Sequence, residues 1–202
     1  MSKKHFDQHI HSSFSFDSAP DNTIIKIAEK AISKGLSGIA VTDHLDPLWP
    51  PTDYMPDFDV MGYQAALLEA EAAFSGQIRF SKGIELGLKP GQTLDICSEV
   101  VSGFPYDFVI GSVHCSDDRV IPETFFPEGI PVYDILESYY ALILDSIKIY
   151  KDYDVLGHLN SIERHTEELS PESLYMPFVD EILKLAVSDG KGLEINTSSF
   201  GK

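Results

Sequence analysis

The sequence has 202 residues, with 32 acidic and 15 basic side chains and a formal net charge of −17 at pH 7. This length fits one domain with a sizeable core, and no Lys/Arg run exceeds two residues, which argues against a surface for long nucleic acids. The sequence lacks both a membrane-length apolar run and a hydrophobic signal segment, and its two cysteines form no CxxC pair. We therefore expect a cytoplasmic protein with no membrane partner.

Short β-rich runs alternate with helical patterns in the first half of the chain. The run HFDQHI comes first and is followed by the helical pattern TIIKIAEKAISK, for which Asp21 or Asn22 is the expected N-cap and Gly35 the stop signal. The run SGIAVT is next. A helix over roughly residues 60–74, ending at Gly76, then leads to the run IRFSKGIEL.

The same alternation continues to the end of the chain. A short helix over about 94–101 precedes DFVIGSV, and a long amphipathic helix over about 132–150 precedes DVLGHL. Ser170-Pro171 opens a further helix that ends near Gly190, with Pro177 expected to interrupt its first turns, before the last run, GLEIN. Six strand candidates in a repeated βα order predict an α/β fold of parallel strands with helices outside.

Most of the polar side chains suited to metal binding fall where these runs end. They are His9 and His11, Asp43 and His44, Glu85, His114, His158, and Glu194 with Asn196. In a parallel barrel the carboxyl ends of the strands meet on one face, which is where the chemistry of such folds lies. Imidazole and carboxylate without a neighbouring thiolate favour Zn²⁺, Mn²⁺ or Fe²⁺. For any single histidine, a surface or core role remains the alternative.

Five motifs carry a family resemblance. DQHIHSSFSFD, VTDHLD, KGIELG, IGSVHC and VLGHL, in this order, resemble the polymerase and histidinol phosphatase (PHP) superfamily, and most of all its stand-alone histidinol-phosphatase branch. The resemblance runs from Asp7 to Asn196 and implies a distorted TIM-like (β/α)7 barrel. About six βα units are visible, and the further strand with an Asp-x-His motif found in the family is absent. We therefore expect a single PHP-type metallophosphoesterase domain over residues 1–202, truncated at its C-terminus.

The resemblance also implies a set of metal ligands for two to three divalent ions. His9, His11 and Glu85 would hold the first ion, Glu85, His114 and His158 the second, and Asp17 and His44 the third. Four further side chains would orient these ligands, a purely structural role being the alternative: Asp7, Asp43, Glu194 and Asn196.

The implied activity is hydrolysis of a small phosphate monoester, L-histidinol phosphate, to L-histidinol and phosphate in histidine biosynthesis. Another PHP phosphoesterase acting on nucleotides or phosphodiesters, and a metal-binding domain without turnover, are the alternatives. Metal identity and oligomeric state stay open at this point.

Two features are expected to contact the substrate. Arg164 offers a planar donor fork for phosphoryl oxygens, the alternative being a pairing with nearby glutamates, and Arg119 is a weaker second candidate. The proline-rich loop LDPLWPPTDYMPDFD follows His44 and is expected to cover the substrate, offering Asp46, Asp53 or Asp57 to a cationic leaving group. A rigid surface connection is the alternative for this loop.

Overall fold

The computed structural model of the chain describes residues 5–50, 58–116, 119–121, 128–162 and 172–196. By its internal contacts the chain divides into two compact units. The first unit comprises Met1–Leu45, Pro56–Leu86 and Ser98–Ile110, and the second comprises Asp46–Met55, Gly87–Cys97 and Gly111–Lys202. The expectation of one domain over the whole chain stays a prediction.

The first unit contains most of the early elements. They are β1 (Phe6–Ile10), α1 (Ile24–Ser33), β2 (Gly38–Val41), β3 (His44–Leu45), α2 (Val60–Ala73) and β4 (Arg79–Gly87), whose last residue belongs to the second unit. Strand β2 pairs in parallel with both β1 and β4. The two-residue strand β3 pairs with the end of β4, in a register that sets His44 opposite Glu85. These parallel pairings bring the carboxyl ends of the strands together, as the sequence predicts.

The second unit contains most of the later elements. They are α3 (Gln92–Ser102) and β5 (Phe108–Ser112), which both cross the boundary between the units, then α4 (Val132–Ile149), β6 (Val155–Leu156), α5 (Glu172–Ser188) and β7 (Gly192–Leu193). Strands β6 and β7 are parallel. The hydrogen-bonded strand order is β1-β2-β4-β5-β6-β7, with β3 paired to β4 off this path. The repeated βα order of the sequence is confirmed, and β3 is a seventh strand that the six candidate runs do not include.

Helix α1 begins one residue later than the sequence predicts. Its N-cap is Thr23, whose side chain accepts a hydrogen bond from the Lys26 amide, and not Asp21 or Asn22. The side-chain amide of Asn22 donates instead to the His11 carbonyl at 2.9 Å, and the Asp21 carboxylate pairs with the Lys26 ammonium at 3.2 Å. Both side chains are therefore engaged in contacts other than capping.

The remaining helices follow the predicted ranges within two residues where the structure describes them. The exception concerns Pro177, which lies inside α5 without interrupting it. A proline in a helix removes one backbone hydrogen bond, and here the helix continues on both sides of that gap. The predicted interruption is therefore wrong. Ser170 and Pro171, the predicted start of this helix, lie outside the described residues.

The core of the first unit lies between its helices and one face of its sheet. Ile39 of β2 and Leu67 of α2 are fully buried in this core, and Phe80 of β4 packs against it. Side chains alternate along a strand, so Glu85, an odd number of residues after Phe80, points to the opposite face. The opposite face of β4 therefore carries a buried carboxylate. Among the described residues, no helix has the length and apolar character needed to cross a membrane.

Candidate metal centre

Three histidines converge on one buried carboxylate in the first unit. The Oε2 atom of Glu85 lies 3.2 Å from Nε2 of His9, 3.2 Å from Nε2 of His11 and 3.4 Å from Nδ1 of His44. The Glu85 side chain is completely buried, whereas the histidines are 8–17% exposed. The Nε2 atoms of His9 and His11 lie 3.1 Å apart. Three imidazole nitrogens and one carboxylate oxygen thus lie close together in a largely buried site.

Local sequence explains why these side chains meet. His9 lies in β1 and His11 is the first residue after it, and a spacing of two residues on an extended backbone directs side chains the same way. The register of β1 against β2 is irregular between Asp7 and Ile10, a bulge of the kind that re-aims side chains beside functional sites. His44 reaches the same place through its pairing with Glu85 across β3 and β4.

Asp17 lies beside two of the three imidazoles. Its carboxylate oxygens are 2.9 and 3.0 Å from Nδ1 of His11, and Oδ2 is 3.7 Å from Nε2 of His44. Burial alone would raise the pKa of Asp17, but the hydrogen bonds from both histidines hold it far below its usual range. Burial likewise opposes charge on His11, but its bonds to Asp17 and Glu85 outweigh that effect and raise its pKa. Asp17 is therefore an anion at neutral pH.

Asp43 fixes the backbone around this cluster. Its buried carboxylate accepts hydrogen bonds from the Ser12 amide at 2.7 Å, the Ser12 hydroxyl at 2.8 Å and the Ser15 hydroxyl at 2.7 Å. The Ser15 hydroxyl oxygen in turn accepts the backbone N–H of His44 at 2.9 Å. Burial raises the pKa of Asp43, although these bonds act in the opposite direction. Asp43 thus fixes the loop that follows His11, and its role in orienting metal ligands stays a prediction.

Two further predicted ligands lie together in the second unit. The Nε2 atoms of His114 and His158 are 3.5 Å apart. On its other side, Nδ1 of His114 lies 2.8 Å from Oδ1 of Asp46, a carboxylate with a side chain only 1% exposed. The backbone N–H of His158 donates to Oε2 of Glu194 at 2.6 Å. Asp46 thus contacts the imidazole of His114, whereas Glu194 holds the backbone of His158.

The other predicted orienting residues make weaker contacts with the ligands. The Asn196 amide donates to Oε1 of Glu194 at 3.3 Å, which supports the carboxylate beside His158. Asp7 is exposed, and its carboxylate reaches only the amide of His9, at 3.5 Å. The geometry thus gives Asn196 a supporting position behind Glu194 and offers little for Asp7.

The residues predicted to contact substrate are only partly described. Arg164, Asp53 and Asp57 lie outside the described residues. The backbone carbonyl of Arg119 accepts the Ser116 amide at 2.8 Å. Asp46 was predicted as a possible partner of a cationic leaving group, whereas the structure buries its carboxylate against His114.

The described start of the proline-rich loop is anchored within the second unit. The Lys89 ammonium donates to the Leu48 carbonyl at 3.1 Å, and Trp49 is buried against Cys115 and Val120. This part of the loop is fixed by packing, and its role as a cover over the substrate stays a prediction.

The orienting role of Asp46 was missed in the sequence, although two signals pointed to it. Asp46 lies two residues after His44 in the motif VTDHLD, the same spacing that pairs His9 with His11. The glycine that ends KGIELG is the second signal, because a Cβ atom on Gly87 would collide with the Asp46 carboxylate. Neither signal identifies His114 as the partner of Asp46, since that contact joins residues 68 positions apart.

The donor set fits a hard or borderline divalent cation. His11, His44 and Glu85 each offer one ligand atom, and these atoms lie within 4.8 Å of one another. Imidazole nitrogen and carboxylate oxygen suit zinc, manganese and iron, and an orienting carboxylate behind a histidine is typical of metal ligands in proteins. Clusters of histidine and carboxylate that could bind metal are therefore present in this chain.

Comparison with known proteins gives consistent results. The chain is 30% identical over 201 residues to the histidinol-phosphatase of Lactococcus lactis subsp. lactis (strain IL1403), covering 98% of this chain and 73% of that protein. It is 27% identical to a probable histidinol-phosphatase of Clostridium acetobutylicum, covering 98% of this chain and 74% of that protein.

A solved structure gives the same indication. The crystal structure of the L. lactis histidinol phosphate phosphatase, complexed with zinc, L-histidinol and phosphate, matches with a TM-score of 0.86 at 28% identity. The match covers 98% of this chain and 75% of that chain and confirms the predicted fold class. The model of the PHP domain family matches residues 7–198. The strand-end histidines and the buried glutamate thus lie within a recognised domain over nearly the whole sequence, and the chain belongs to the PHP domain family.

Proposed function

We propose that this chain is a metal-dependent phosphomonoesterase that hydrolyses L-histidinol phosphate to L-histidinol and phosphate, a step of histidine biosynthesis. The observation that carries the proposal is the convergence of His9, His11 and His44 on the buried Glu85. The relatives named histidinol-phosphatase, which this chain matches over nearly its full length, support the choice of substrate.

The proposed ligands bind two to three divalent ions, with zinc, manganese and iron as the candidates. They are His9, His11, Asp17, His44 and Glu85 in the first unit, and His114 and His158 in the second. When bound, such ions lower the pKa of water and stabilise negative charge on a phosphoryl group. Their positive charge also explains how a chain with a net charge of −17 accepts an anionic substrate.

The other residues of the chain position these ligands. Asp43 holds the loop that follows His11, and through Ser15 it holds the backbone of His44. Asp46 contacts Nδ1 of His114, and Glu194 binds the backbone of His158. We assign the phosphoryl oxygens to Arg164, with Arg119 as a second contact, because an arginine fork matches phosphate geometry.

The direct test is phosphate release from L-histidinol phosphate by the chain loaded with Mn²⁺ or Zn²⁺, with bis(p-nitrophenyl) phosphate assayed in parallel. We expect turnover of the monoester and little turnover of the diester. Preferential cleavage of the diester would contradict the proposal in favour of another phosphoesterase of this family. Bound metal without turnover of either ester would contradict it in favour of a non-catalytic domain.

A further inference from the structure

An aromatic ring lies exposed at the edge of the histidine cluster in the first unit. Phe16 is 38% exposed, and its ring centroid lies 4.9 Å from that of His44 with the planes tilted by 31°. Phe14, two residues earlier, instead packs on Tyr63 in the core with centroids 5.5 Å apart. The loop therefore contributes one phenylalanine to the core and presents the other beside the proposed metal ligands.

The loop that carries Phe16 is held in place by hydrogen bonds made by residues before and after Phe16 in the sequence. The Ser15 hydroxyl donates to the buried Asp43 carboxylate at 2.7 Å, and the Ser18 amide donates to the Ser15 carbonyl at 3.2 Å. The Asn22 side chain donates to the His11 carbonyl at 2.9 Å and to the Ser18 hydroxyl at 3.0 Å. A ring on such a backbone is preorganised, which reduces the entropy lost when a ligand packs against it.

The aromatic ring itself favours a cationic ligand. The face of a phenyl ring attracts cations through its quadrupole. A neutral or anionic leaving group would gain less from this ring than an organic cation.

We infer that Phe16 is a specificity-determining residue whose exposed face packs against the cationic, nitrogen-bearing leaving group of the phosphate monoester. The inference rests on the proposed function, which places the phosphoryl group at the histidine cluster. It assigns the recognition of the leaving group to an aromatic face beside His44.

The test compares Phe16→Leu, which keeps apolar bulk but removes the aromatic face, with the unaltered chain. The quantity measured is the ratio of kcat/KM for L-histidinol phosphate to kcat/KM for glycerol 3-phosphate, which has neither an amine nor a ring. We expect this ratio to fall by about 2- to 30-fold, the range of a cation–π contact, and to recover in Phe16→Tyr. Met61→Ala is the matched control, because Met61 is 75% exposed on α2 and its loss is expected to leave the ratio unchanged.

A second readout is independent of turnover. Calorimetric titration of L-histidinol into the metal-loaded chain is expected to show a dissociation constant that rises by a similar factor in Phe16→Leu. If Phe16→Leu lowered kcat/KM equally for both esters, the inference would be overturned, and the role of Phe16 would be to pack against His44. An unchanged ratio with unchanged L-histidinol binding would also overturn it.

The outcomes separate this inference from the proposed function. If the unaltered chain fails to hydrolyse L-histidinol phosphate, the proposed function fails. In that case, L-histidinol binding that weakens in Phe16→Leu would still support an aromatic contact with the organic cation. Turnover by a chain whose L-histidinol affinity does not depend on Phe16 would retain the function and reject the inference.

Discussion

Both carboxylate oxygens of Asp17 lie within 3.0 Å of Nδ1 of His11, the ring nitrogen that faces away from Glu85. His11 is thus held between two carboxylates, with its Nε2 toward the buried one. A carboxylate in this position fixes both the tautomer and the orientation of a metal-binding imidazole. Because Asp17 also reaches His44, the ligand role and the orienting role of this side chain can be separated by experiment.

Replacement of Asp17 by alanine is expected to remove one bound ion per chain, since we propose that Asp17 and His44 share an ion. The ions that remain are expected to bind about 10- to 100-fold more weakly, because His11 loses its orienting partner. Elemental analysis after dialysis gives the number of ions, and competition with a chelator gives the affinity. Asp21→Ala is the control, because that carboxylate is 83% exposed in the same loop. An unchanged ion count with weaker binding would restrict Asp17 to orienting His11.

Replacement of Glu85 by glutamine is expected to abolish metal binding in the first unit. The amide keeps the shape of the side chain but removes the negative charge that three imidazoles share. We expect kcat/KM for L-histidinol phosphate to fall by more than about 100-fold, beyond the range typical of residues outside the ligand shell. Glu69→Gln, on the exposed face of α2, is the control. A variant that retained both its full ion content and its activity would exclude Glu85 as a ligand.

Replacement of Asp46 by alanine is expected to weaken the binding of the ion held by His114 by about 10- to 100-fold. Asp46→Asn is expected to lose less, because its side-chain oxygen still accepts a hydrogen bond from Nδ1 of His114. Chelator competition is the measurement, with Asp145→Ala, an exposed site on α4, as the control. If Asp46→Ala and Asp46→Asn bound metal as tightly as Asp145→Ala, the Asp46–His114 contact would have no effect on metal affinity.

The pH dependence of stability is expected to reflect the Lys82 network in the first unit. The Lys82 ammonium contacts Glu71 at 2.7 Å and Asp107 at 2.9 Å. Burial disfavours the charged forms of both Lys82 and Asp107, but the contacts between opposite charges outweigh this effect. The pKa of Lys82 is therefore raised from its ordinary value of 10.5, and the pKa of Asp107 is lowered from its ordinary value of 3.8. The contribution of Asp107 to the free energy of unfolding is therefore lost as the pH falls below the ordinary pKa of an aspartate. The contribution of Lys82 is lost as the pH rises above 10.5.

The variant Lys82→Met tests this network by urea unfolding at several pH values. We expect a loss of about 1 kcal/mol near neutral pH, because Glu71 and Asp107 are both partly exposed and solvent screens the pairs. The difference from the unaltered chain is expected to shrink below about pH 4 and above about pH 11. A difference that stayed constant over this range would assign the loss to packing of the Lys82 stem.

Sequence reasoning located the histidine cluster because strand geometry repeats over short distances. The spacing of His9 and His11, and the position of Glu85 at the end of an apolar run, follow from side-chain alternation and the βα order. The strand β3 is not predicted from the sequence, because two residues are too few to show a periodic pattern. This strand is defined by its pairing with β4, which sets His44 opposite Glu85. The predicted N-cap of α1 is wrong because the side chain of Asn22 donates its hydrogen bond to the His11 carbonyl, eleven residues earlier in the sequence. Long-range contacts of this kind leave no local pattern in the sequence.

The buried Asp43 has a consequence for how this centre can move. Its carboxylate binds Ser12 and Ser15, and Ser15 binds the backbone of His44, so the ends of two strands share one polar anchor. A displacement of His11 or His44 would therefore strain hydrogen bonds that also hold the other residue. The shared anchor couples the positions of these two proposed ligands.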